Sequence, residues 1–110
     1  MPMPNRFGIP ADVEQRLRAR DTKCVYCEKI FSRQSRKDWP TIEHLSEKPP
    51  FYWGQSLKED GLAICCWSCN SSRGNKNLRD WFQTSYCLDR INPINQSTVA
   101  APVQNHLLSA

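Results

Sequence analysis

The sequence holds 110 residues with a formal net charge of +4, only 39% apolar positions, eight prolines and four glycines. One compact domain accounts for that length, and so polar a composition excludes a large continuous core and calls for a metal or covalent staple. No run approaches the ~20 apolar residues of a membrane span, and the opening MPMPNRFGIP lacks the apolar heart of a secretory signal, so a cytoplasmic protein is expected.

Residues 1–9 carry two prolines and a glycine without apolar periodicity and read as a loose arm, leaving 10–110 as a single domain. Pro10 then opens an amphipathic helix with Val13 and Leu17 one turn apart. The stretch TKCVYCEKIF sets Cys24 and Cys27 among alternating apolar residues, as in a metal knuckle leading into a hairpin, and Ser32 to Lys37 form a polar turn. From Trp39 to Leu45 the pattern alternates like a strand, with Ile42 and His44 on one face and Thr41 and Glu43 on the other. Residues 46–60 are polar around the cluster Phe51-Tyr52-Trp53 and read as a long loop over the site. Gly61 to Cys66 is a short buried strand.

A helix is expected from Asn70, broken at Gly74 and resumed behind Asn77 as N-cap. The last helix should start after Ser97 or Thr98 and carry Val99, Val103 and Leu107, with Pro102 in its first turn. Residues 77–110 thus form a C-terminal helical part. The aromatics Trp39, Phe51, Tyr52, Trp53, Trp67, Trp81 and Phe82 are expected to pack in the core and loop and not to serve as base-stacking platforms.

Four of the six cysteines fall into Cys24-x-x-Cys27 and Cys66-x-x-Cys69. In a reducing compartment such pairs are metal ligands more often than disulfides, and two tight turns complete a tetrahedral zinc site. Four sulfurs leave no open position, so this zinc is expected to be structural, contributing about 10 kcal/mol to folding. Cys65 and Cys87 read as small buried apolar residues, although Cys65 could exchange with Cys66 as ligand. The basic residues flank the pairs: Arg16, Arg18, Arg20 and Lys23 before the first, Arg33, Arg36 and Lys37 after it, and Arg73, Lys76 and Arg79 after the second. That distribution suits an anionic partner.

Cys24-x-x-Cys27, then Ile42-Glu-His-Leu45, then Cys66-x-x-Cys69-Asn70 followed by Arg73-Gly-Asn-Lys76 resembles the zinc-containing branch of the HNH endonucleases. The similarity spans residues 24–76, with its parts in the family's order. It implies an α+β fold, a small ββα-metal (His-Me finger) nuclease core stapled by a structural four-cysteine zinc and flanked by short helices. It further implies DNA as partner, His44 as general base, and Glu43 and Asn70 as catalytic residues holding a divalent ion, Mg²⁺ or Mn²⁺. Arg73, Lys76, Arg36 and Lys37 are the candidate nucleic-acid contacts. The chemistry is consistent with those roles, because a neutral imidazole accepts a proton from water near pH 7 and a hard ion takes oxygen ligands.

Two positions depart from the family. Glu43 stands where aspartate is usual, and the middle asparagine is replaced by Asp60 or Gly61, which leaves Asp60 or a backbone carbonyl to orient His44. A competing reading needs only the cysteines and the basic residues: a non-catalytic zinc-ribbon module that binds nucleic acid.

Overall fold

The computed structural model describes residues 8–46 and 59–109. Most of the expected arm and of the long loop, with Phe51, Tyr52 and Trp53, lies outside the described residues. Ile9, assigned to the arm, is 1% exposed and belongs to the core.

Helix α1 (Ala11–Arg20) follows Pro10, with Asp12 and Glu14 in its first turn and Arg18 and Arg20 in its last, the placement its dipole favours. Its end is tied down by Asp21, whose Oδ2 accepts from the Ile64 amide at 3.0 Å and from Arg20 Nη2 at 2.8 Å. The first Cys pair forms a tight knuckle closed by the Glu28 amide bonding to the Cys24 carbonyl at 3.0 Å. Glu28 adopts φ 65° there, a left-handed conformation that few side chains accept.

Strands β1 (Pro40–His44) and β2 (Leu62–Cys66) pair antiparallel, with Pro40 opposite Cys66, Ile42 opposite Ile64 and His44 opposite Leu62. All five residues of β2 are buried. The reason is a layer on each face: Leu62 and Ile64, with Ile42, meet Ile9, Val13 and Leu17 of the α1 side, while Ala63 and Cys65 meet a larger cluster around Tyr26, Leu78 and Trp81. The protein is therefore α+β, a two-stranded sheet between helices.

Helix α2 (Trp67–Arg73) begins three residues earlier than the expected start at Asn70. Cys66 Sγ supplies the cap, accepting from the Cys69 amide at 3.4 Å, so the second Cys pair itself nucleates the helix. Gly74 ends it at φ 54°, where a side chain would be strained. Helix α3 (Leu78–Trp81) is capped as expected by Asn77, which accepts from the amides of Arg79 and Asp80. A further turn of helix, α4 (Ser85–Leu88), follows. Helix α5 (Ala101–Ser109) starts later than Ser97, because Asn95 and Thr98 close a side-chain-bonded turn and the Ala100 amide bonds to the Val25 carbonyl at 2.8 Å.

Trp81 is the largest fully buried side chain, edge-on to Tyr26 at 4.9 Å and donating to Ser72 Oγ at 3.0 Å. It joins the knuckle, α2 and α3. Trp81→Ala should cost about 3–5 kcal/mol in chemical denaturation, read as a fall in midpoint at constant slope.

Candidate functional site

The sulfur atoms of Cys24, Cys27, Cys66 and Cys69 lie within 4.8 Å of one another. Cys27 Sγ and Cys66 Sγ are 3.8 Å apart. A tetrahedron with Zn–S bonds of about 2.3 Å has edges of about 3.8 Å, so the four sulfurs stand where one ion would draw them. All six cysteines are free thiols, and Cys66 rather than Cys65 is in the cluster. Cys65 faces the other way along β2, its sulfur 3.7 Å from Thr41 Oγ1. Cys66 is drawn down to about 7, first by its hydrogen bond with Cys24, and Cys27 is held well below the usual thiol range by Cys24 and Cys66, while Cys24 and Cys69 are pushed up because they keep the shared protons. Four crowded sulfurs that share protons among themselves can exchange those protons for a metal such as zinc. Tyr86, which no spacing argument singled out, donates to Cys69 Sγ at 3.3 Å and steadies the ligand from outside.

His44 is the last residue of β1 and half-buried. Strand alternation places it on the α1 face with Ile42, and Glu43 on the opposite face toward Tyr26 and α2. Asn70, at the middle of α2, reaches β1 and donates from Nδ2 to Thr41 Oγ1 at 3.0 Å and to the Ile42 carbonyl at 3.2 Å. Glu43 and Asn70 thus share the α2 side of the sheet, and His44 does not.

Glu43 is 4% exposed. Its Oε2 accepts from Tyr26 Oη at 2.6 Å and from Arg73 Nη1 at 3.2 Å. Burial pushes its carboxyl above the usual range, against the opposing pull of Arg73 and Tyr26. Arg73, expected on a DNA phosphate, is itself 2% exposed. Besides Glu43 it donates to the carbonyls of His44 at 2.7 Å, Leu45 at 2.9 Å and Lys76 at 2.9 Å. Those bonds leave it no path to a phosphate in solution, and this corrects its expected role: it clamps the backbone just after the His44 strand. It holds that backbone together with the Leu45 amide, which bonds to the Gly61 carbonyl at 3.0 Å. Of the other expected contacts, Lys76, Arg36 and Lys37 are exposed.

The divalent ion implied by the resemblance does not fit these residues as they are placed. A hydrated Mg²⁺ wants an accessible carboxylate. Here the carboxylate is buried and already paired with Arg73. Among the described residues, the four cysteines are the group able to gather on one ion.

Comparison with known protein families, curated proteins and solved structures finds no match to this chain.

Two outcomes follow from this geometry. Elemental analysis should find about one zinc per chain, and Cys27→Ser should release it and unfold the domain, read by circular dichroism. Arg73→Met should destabilise the fold by about 3–5 kcal/mol, because it strands a buried carboxylate, and adding Glu43→Gln should restore much of that loss.

Proposed function

We propose that this chain is a zinc-stapled HNH-type DNA endonuclease, hydrolysing phosphodiester bonds with His44 as general base. The observation that carries this reading is the succession of β1, β2 and α2 around one knuckle pair. It sets His44 at the end of the hairpin where β1 leads into the connecting segment, opposite the end held by the cysteines, and brings Asn70 against the same strand. The order of these parts along the chain is the one that the resemblance to the ββα-metal nucleases calls for, while Glu43 and Asn70 lie on the other face of the sheet from His44.

In this mechanism His44 takes a proton from the water that attacks in line with the leaving 3′-oxygen, giving 5′-phosphate products. Arg73 positions the base by holding the carbonyls of His44 and Leu45, and Tyr26 and Glu43 hold Arg73 in turn. Lys76, Arg36 and Lys37 draw the phosphate chain to the surface through long-range attraction. No step is routed through a divalent ion, since the carboxylate assigned to it is committed elsewhere.

The buried Glu43–Arg73 pair favours a second reading, a non-catalytic zinc-stapled module that binds DNA on the same basic surface. Supercoiled plasmid separates the two. The nuclease reading expects nicked or linear DNA in at least one of three conditions, Mg²⁺, Mn²⁺ or EDTA, and a loss of about 10² to 10⁴ in rate for His44→Ala with zinc and DNA affinity retained. Intact plasmid under every metal condition, with binding preserved, selects the module. Cutting by His44→Ala at the wild-type rate removes His44 from the reaction.

A further inference from the structure

Two of the tryptophans expected in the core stand at its surface. Trp39 is 38% and Trp67 36% exposed, whereas Trp81 is fully buried. Their positions are set by the sheet, for Pro40 pairs with Cys66 and the residues just outside that pair are joined by the Trp67 amide bonding to the Trp39 carbonyl at 2.9 Å. The Trp39 indole is further fixed by Nε1 donating to the Arg33 carbonyl at 3.2 Å. Arg36 lies over both rings, its guanidinium carbon 5.9 Å from the Trp39 centroid and 5.2 Å from that of Trp67.

A single exposed aromatic is ordinary on a protein surface. Two that are backbone-bonded neighbours, with one guanidinium over both, form a platform of π faces and cations. The charge around it has one sign. Arg33, Arg36 and Lys37 are exposed, and the acidic residue of the turn, Asp38, is taken up by Lys29 at 2.9 Å.

We infer that Trp39, Trp67 and Arg36 form a stacking platform for the unpaired bases of single-stranded DNA. Flat rings accept any base by its π face, and the neighbouring cations accept the phosphates. A duplex hides its base faces inside the stack, so the platform selects strands that are already open. The inference rests on the nucleic-acid reading of this chain, whether or not it cuts. Trp39 and His44 sit at opposite ends of β1, about 16 Å apart at 3.3 Å per residue. The platform is therefore a grip on flanking strand, separate from the proposed cleavage residue.

The test is equilibrium binding of the full chain, with no divalent ion added, to three labelled probes carrying the same number of phosphates per strand. These are a single-stranded oligonucleotide, its abasic counterpart, and the duplex. The base-bearing strand should bind about tenfold or more tightly than the other two, the scale of one or two stacked bases. Trp39→Leu and Trp67→Leu should each remove most of that preference while leaving affinity for the abasic strand within about twofold, since its phosphate contacts are untouched. Equal affinity for base-bearing and abasic strands overturns the platform, as does a leucine variant that keeps the full preference. The abasic comparison uses the unaltered protein, so it decides even if a variant loses its zinc. Binding to all three probes alike leaves the nucleic-acid reading standing without the platform, and binding to none removes both.

Discussion

The rest of this structure depends on the meeting of four cysteine sulfurs. Cys24 and Cys27 belong to an isolated knuckle, and Cys66 and Cys69 to the junction of β2 and α2. Without an attraction between the two pairs, a chain with so few apolar residues has little reason to close a loop of this length. Cys66 serves twice, as a member of the cluster and as the cap of α2. Helix, hairpin and candidate metal centre are thus one cooperative unit, and what disturbs the sulfurs disturbs the strand that carries His44.

The second constraint is electrostatic and buried. Arg73 brings a full charge into the interior, which is tolerable only because a carboxylate, three carbonyls and a phenol complete the network around it. Such a network contributes little net stability compared with an apolar replacement, but it dictates geometry. Here it fixes where the chain goes immediately after β1, and it occupies the carboxylate that a divalent ion would otherwise seek. The same residues therefore orient the candidate base and weaken the case for a pre-formed ion site.

The basic surface is organised separately from that interior. Arg36 and Lys37 sit on a single 3₁₀ turn packed near α2, and the two exposed indoles beside them lie at the cysteine end of the hairpin, away from His44. In the proposed reading, attraction of a polyanion and gripping of its bases share this patch, with Arg36 common to both, and cleavage belongs to the far end of the hairpin. Binding and cleavage can accordingly fail independently.

Much was legible in the sequence because it depends on local spacing. Two Cys-x-x-Cys turns, the alternation of Thr41 to His44, the apolar run Leu62 to Cys66 and the Asn77 cap each state their structure within a few residues. The fates of Glu43, Arg73, Trp39 and Trp67 are of another kind. An arginine four residues past a Cys pair looks like a solvated phosphate contact until the fold brings it against a carboxylate in the core. A tryptophan looks like core until the sheet ends beneath it. Period and spacing report which face of its own element a side chain takes, but a charge or an aromatic ring is buried or exposed according to what distant segments place on that face, and only the tertiary structure decides that.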